Sequence, residues 1–161
     1  TLMIILSDNT ATNVLIDLLG MDRINKRIKE LSCQNTVLQR KMLDFERAKK
    51  GLDNFTSSMD MALIMEKIYK KEILSTKSCE MMLDILTKQK YRNNLGRYLD
   101  EDILIAHKTG GLTGISHDIG IFMDFGYLIG VFTKNAANDY DGSITIGKIS
   151  KIVYDYYLKH N

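Results

Sequence analysis

Apolar residues recur at helical spacing through the first part of the chain and at strand spacing near its end. Val14, Leu15, Leu18 and Leu19 make one face of a helix that stops at Gly20. Asp22 is placed to cap a second, short helix with Ile24, Ile28 and Leu31 inward. From Cys33 to Phe55 the period breaks down and charged residues dominate, which predicts a long, partly structured surface loop, a kind of segment that often carries function. Helical pattern returns after Thr56-Ser57-Ser58, where a hydroxyl can cap and Asp60 falls in the first turn, with Ala62, Leu63, Ile64, Ile68 and Tyr69 apolar. Ser75 then caps a helix carrying Met81, Met82, Ile85 and Leu86, and Lys88 to Asn94 is polar and turn-like.

Beyond Leu95 the spacing changes. Ile103-Leu104-Ile105-Ala106-His107 is a short β-prone run ended by Lys108-Thr109-Gly110-Gly111, and Ile119 to Asp124 and Tyr127 to Thr133 are two more, joined at Phe125-Gly126. These predict a three-strand antiparallel meander. After a loop from Asn135 to Gly142, Ser143 can cap a last helix whose Ile146, Ile149, Ile152, Val153 and Tyr156 face a core. Helices, then strands, then a closing helix predict an α+β fold with that helix packed on the sheet. The chain is expected to be a single domain over residues 1–161, helical with the loop at 33–55 through residue 95, and strands plus a helix over 96–161. The opening run Thr1 to Leu6 reads as the end of a buried helix cut by the chain start, so an N-terminal segment of the same protein, with further strands, is expected to be missing.

Composition narrows the function classes. A hydrophobic fraction of 45% suits a packed core, while 22 basic and 20 acidic residues are interspersed, which argues against nucleic acid as a partner. Cys33 and Cys79 lack the spacing of a zinc site and read as buried thiols, so no metal and no other cofactor is expected. The apolar opening run is too short to span a bilayer. The methionines fall mostly on helix faces and read as core filler.

Two short motifs stand out. Ser7-Asp8-Asn9 opens a predicted helix, and about a hundred residues later Lys108-Thr109-Gly110 closes a predicted strand. Each alone is weak, the first readable as a helix cap and the second as a strand end entering a turn. Together, in this order and local structure, they are informative.

With the run Ser7 to Asn13, Lys108-Thr109-Gly110-Gly111, and Thr56-Ser57 before Met61-Ala62, the chain from Ser7 to the final helix resembles class A β-lactamases and related penicillin-binding serine hydrolases. The resemblance implies a β-lactamase/transpeptidase-like fold and an acyl transfer in which a serine attacks an amide carbonyl and the acyl-enzyme passes to water or an amine. It implies that Ser7 relays a proton to the leaving nitrogen and that the Lys108 ammonium supports that hydroxyl and attracts a substrate carboxylate. Asn9 would hold the substrate amide, Thr109 would donate to the carboxylate, and Gly110 and Gly111 would line it, with Gly111 giving an N–H to the oxyanion hole. Asp8 braces the loop. His117, beyond the turn, is a candidate reader of the carboxylate, with a structural histidine as the competing reading. His107 should point to the opposite face of the strand from Lys108.

The family's Ser-x-x-Lys nucleophile is absent, since no serine here has lysine three residues later, and this chain alone is expected to be inactive. The family's loop also carries a glutamate that activates the deacylating water, followed by a proline, and this chain has no proline. Asp44 and Glu46 are the nearest carboxylates, with a solvated face as the alternative for both. The resemblance therefore implies a bacterial, exported or envelope-associated hydrolase segment acting on a β-lactam or a D-alanyl peptide. A penicillin-binding D,D-peptidase-like enzyme and a non-catalytic binder are the alternatives.

Overall fold

The computed structural model describes residues 1–160. Seven helices and three strands follow in order: α1 Leu2–Ile5, α2 Asn9–Leu19, α3 Met21–Glu30, α4 Phe45–Lys49, α5 Ser58–Tyr69, α6 Thr76–Thr87, β1 Ile105–Leu112, β2 Ile115–Phe122, β3 Tyr127–Phe132 and α7 Asp139–His160. The strands form one antiparallel sheet in the order β1-β2-β3, the predicted meander.

Side-chain alternation gives the sheet two different faces. Ala106, Ile119 and Ile121 meet Met65 and Ile68 of α5 and Leu83 and Leu86 of α6. On the other face Ile105, Phe122 and Tyr127, with Ile103, meet Val153, Tyr154 and Tyr157 of α7. Aromatic stacking ties this second core together, with Phe122 and Tyr127 centroids 4.7 Å apart and Tyr127 and Tyr157 4.2 Å apart.

Local chemistry sets the helix starts. Ser57 and Ser75 cap α5 and α6 as expected, accepting from the Asp60 and Ser78 amides at 3.1 Å and 3.3 Å. Asp22, however, does not cap α3. Gly20, at φ +80°, ends α2 and begins α3 with no intervening residue, and Asp22 falls inside the first turn, where its charge suits the helix dipole.

Several other boundaries differ from the sequence reading. The Lys108-Thr109-Gly110-Gly111 run lies within β1 rather than after it, because β2 begins early enough, at Ile115, to pair with every one of those residues. Helix α7 starts at Asp139, so Ser143 sits inside it. Its hydroxyl donates to the Asn93 carbonyl and accepts from Arg97 at 3.1 Å, fastening the helix to the preceding loop. Ile146 and Val153 do face the sheet, but Ile149, Ile152 and Tyr156 lie on the outer side, and Ile152 is 70% exposed. The sheet selects the stripe through Ile146, Ser150, Val153 and Tyr157, where small Gly147 lets the Arg97 stem approach; a Cβ there would come within 2.8 Å of Arg97 Cβ.

The first helices are also more open than the pattern suggests. α1 is helical, yet none of its residues is buried. In α2 the buried residue is Ile16, and Val14, Leu15, Leu18 and Leu19 are exposed, because α2 packs on α1 and α3 and not on the sheet.

The loop between α3 and α5 is partly structured. A bridge pairs Val37 with Phe55, and Asn54 accepts from the amides of Gln39 and Arg40 at 2.8 Å and 3.0 Å. Arg40, nearly buried, forms an ion pair with Asp53 at 2.7 Å. At the loop's root the buried Asp60 carboxylate accepts from the Asn35 amide and the Thr36 hydroxyl, each at 2.7 Å. Cys33 and Cys79 are buried free thiols.

Candidate functional site

A turn between two helices and an edge strand meet at the site. Helix α1 ends at Ile5, and the chain reverses through Ser7 in the left-handed region, at φ +51°. Asp8, immediately after, caps α2 by accepting from the Ala11 amide at 2.6 Å. The turn is anchored to the segment after α6: Gln89 Nε2 donates to the Ile4 carbonyl at 2.9 Å and the Lys90 amide to the Ile5 carbonyl at 3.1 Å. A non-glycine residue in the left-handed region is strained. Here that conformation turns the Ser7 hydroxyl toward the sheet, where Lys108 Nζ donates to it.

The two residues are 101 positions apart in sequence. Lys108 is on the same face of β1 as Ala106, toward α5 and α6, and Nζ also donates to the Thr109 carbonyl at 2.7 Å. Burial pushes the Lys108 ammonium below its ordinary pKa, and the Asp118 carboxylate opposes that shift.

Lys108, Thr109 and Gly110 stand at the polar end of a groove of about 620 Å³. Its walls are otherwise almost wholly apolar, with Ile4 from α1, Met61 and Met65 from α5, Ile85 from α6, and Ile119 and Phe132 from the sheet. His117 lines the same groove. Its ring stacks on Phe132 with centroids 4.3 Å apart and its Nδ1 lies 2.9 Å from its neighbour Ser116's carbonyl oxygen. Burial lowers its pKa, and the Ser116 contact offsets part of that, so the neutral imidazole is favoured at pH 7.

The remaining expected site residues fall in different places. Gly110 and Gly111 are exposed along the edge strand, Gly111 opposite Ser116 in register. Asn9 is exposed in the first turn of α2. Asp44 is the N-cap of α4, accepting from the Arg47 amide at 3.1 Å, and Glu46, 77% exposed, pairs with Lys49 at 2.8 Å. Both carboxylates are thus engaged within their own short helix.

Contacts that sequence reasoning passed over shape the site as well. The Asn13 side chain clamps the backbone of Met42, its Oδ1 accepting from the Met42 amide at 2.7 Å and its Nδ2 donating to the carbonyl at 3.1 Å. The loop residue drawn against α2 is therefore a methionine. Behind β1, His107 does point away from Lys108, as alternation requires, and its Nδ1 lies 3.0 Å and 3.1 Å from the two oxygens of buried Asp118. Only the cross-strand register, Thr109 with Asp118 and His107 with Gly120, reveals that pair.

Among the described residues, no group of three His, Cys, Asp or Glu side chains could hold a metal ion, and no helix is long and apolar enough to cross a membrane.

Comparison with known proteins gives this arrangement a context. No curated protein matches the chain. A β-lactamase from Sphaerobacter thermophilus DSM 20745 superposes with a TM-score of 0.85 at 35% identity, over 96% of this chain and 60% of that one. PBP-A superposes with a TM-score of 0.86 at 36% identity, over 98% of this chain and 59% of that one. A representative of class A β-lactamase from Bacteroides cellulosilyticus DSM 14838 gives 0.86 at 25% identity, over 99% and 62%. The chain thus spans about 60% of the length of these solved relatives and shares their β-lactamase-like fold. The sequence pattern described as "Beta-lactamase enzyme family" matches residues 1–157, so the chain, its Ser7 and Lys108 brought together by that fold, belongs to the beta-lactamase enzyme family.

Proposed function

We propose that this chain forms one wall of the active site of a class A-like serine acyl hydrolase, and that the complete protein opens a β-lactam amide through an acyl-enzyme. The observation that carries this reading is the hydrogen bond from Lys108 Nζ to Ser7 Oγ at the polar end of the apolar groove. An ammonium against a hydroxyl stabilises the oxygen's anionic form and lets it pass a proton to a leaving nitrogen. The same positive charge attracts a substrate carboxylate, and Thr109 donates to it. Gly111, on an edge strand, supplies a backbone N–H to the developing oxyanion. Asn9 holds the substrate's amide. His117, neutral at pH 7, contributes a hydrogen bond rather than a charge.

The nucleophile comes from a segment of the same protein outside these residues. The groove lined by α1, α5, α6 and the sheet suits an apolar helix, which would bring its serine beside Ser7 and Lys108. Without it this chain alone has no acylating group and is inactive. The complete protein is exported, where it meets cell-wall peptide and antibiotic.

One observation favours a second reading, a penicillin-binding D,D-peptidase-like enzyme that acylates readily and releases a β-lactam slowly. The loop residue clamped to α2 by Asn13 is Met42, whose thioether cannot take a proton from water, and Asp44 and Glu46 are occupied within α4. Incubating the complete protein with a fluorescent penicillin decides between these. Labelling mapped by mass spectrometry to a serine outside residues 1–161, followed by turnover, supports the hydrolase. Labelling without release supports the peptidase-like enzyme, and no covalent adduct refutes both.

A further inference from the structure

The buried His107–Asp118 pair lies on the α7 face of the sheet, with β1 between it and the groove. Asp118 is completely buried and His107 is 1% exposed. The carboxylate accepts from two N–H groups, the His107 ring at 3.0 Å and the Leu95 amide at 3.1 Å. Burying a carboxylate is costly unless such donors compensate. The fold accommodates the pair through Gly120, which faces His107 in register: a Cβ on Gly120 would come within 2.6 Å of His107 Cβ, closer than the backbone allows. The ring's place thus depends on a glycine that no turn requires.

Asp118 pairs with Thr109, one register step from the Lys108–Ile119 pair, so its side chain leaves the opposite face of the sheet next to Lys108. We propose that the His107–Asp118 pair is a positioning element for Lys108, fixing an anion directly behind the strand so that the ammonium keeps its charge beside Ser7. This rests on the reading of Lys108 as the ammonium of an acyl-transfer site.

The surroundings leave that task to Asp118. The groove walls from α5 and α6 are apolar, Thr1 lines the groove as well, and the His117 side chain facing into it is held toward its neutral form by burial. Ser7 and the Thr109 carbonyl give Lys108 neutral acceptors. On the α7 side, Ser143, Ile146 and Ser150 are buried and uncharged, and Arg97 is turned toward Asn93 and Ser143. Burial disfavours the charged Lys108 and the Asp118 carboxylate favours it. In a medium less polarisable than water, such an anion acts on the ammonium more strongly than it would in solvent. Leu95 and His107 hold it in place, so it acts without touching substrate.

The test follows Lys108 directly. Titration of the ¹⁵N-labelled lysine ammonium by NMR in the complete protein, assigned through Lys108→Arg, gives the midpoint for wild type and for Asp118→Asn. The expected result is a lower midpoint in Asp118→Asn, with acylation by a fluorescent penicillin falling several-fold more on the alkaline side than at neutral pH. Should Asp118→Asn not fold, the double variant His107→Phe with Asp118→Leu removes both ionisable side chains together, at the cost of the Leu95 amide's acceptor, and the same displacement is expected. A folded variant whose Lys108 midpoint is unmoved, even with a lowered melting temperature, overturns the proposal and leaves the pair a purely structural feature. Failure of the wild-type protein to label refutes the acyl-transfer reading instead, and the NMR midpoint still decides this one.

Discussion

The two faces of the sheet are built from the same three strands and do opposite work. Toward α7 the face is closed: Ile105, Phe122 and Tyr127 pack against Val153, Tyr154 and Tyr157, and the His107–Asp118 pair there is enclosed. Toward α5 and α6 the face is partly covered and opens into the groove that ends at Lys108 and Ser7. The closed face gives the strand a fixed position, and the open face uses that position to hold an ammonium within reach of a hydroxyl. The contrast teaches that residues one position apart on β1, His107 and Lys108, meet opposite surroundings, one enclosed under α7 and the other facing the groove.

Substitutions on the two faces should therefore separate stability from reaction rate. Phe122→Ala, deep in the closed face, is expected to cost about 3–5 kcal/mol in a urea melt of the complete protein, because the ring leaves a cavity among stacked aromatics. The folded fraction should still label with penicillin at its native rate. Lys108→Ala, on the open face, should do the reverse, with acylation slowed roughly 100-fold and the melt little changed, as for the loss of one preorganised electrostatic group. Equal damage to both observables from either variant would erase the distinction between the faces.

Smaller effects sharpen it. The Asp60 latch belongs to neither face but joins the loop to α5. Burial raises its pKa, while hydrogen bonds from Thr36, the Asn35 amide and Ser57 lower it by more, so its folded value lies below the ordinary one. Its contribution to stability is thus present above the ordinary carboxylate value and lost as pH falls through the lower, folded value. Thermal melts compared between wild type and Asp60→Asn should show a gap at pH 7 that closes below about pH 4. Glu46→Gln should matter least, changing stability by at most a few tenths of a kcal/mol by melting, since its partner Lys49 is equally exposed. Release of bound drug should be unaffected as well, and a variant that traps the acyl-enzyme would show that Glu46 activates the water after all.

Much of this fold was legible one element at a time. The hydroxyl caps at Ser57 and Ser75 and the three-strand meander were readable because they depend on neighbours a few residues away. The buried stripe of α7 was not, because the helix carries two apolar faces and only the sheet chooses between Ile152 and Val153. The same limit applied to the strand end: glycines at 110 and 111 suggest a turn, and only pairing with Ser116 and His117 makes them strand.

Sequence by itself determined the order of elements, the hydroxyl caps at Ser57 and Ser75, and the presence of a serine at a helix entrance and a lysine at a strand end, since these follow from local sterics and side-chain chemistry. Tertiary structure decided that Lys108 reaches Ser7, that Asn13 clamps Met42, and that Asp118 and His107 share a buried site behind the strand. Those contacts join residues far apart along the chain, and their existence depends on strand register and helix orientation, which no local pattern encodes.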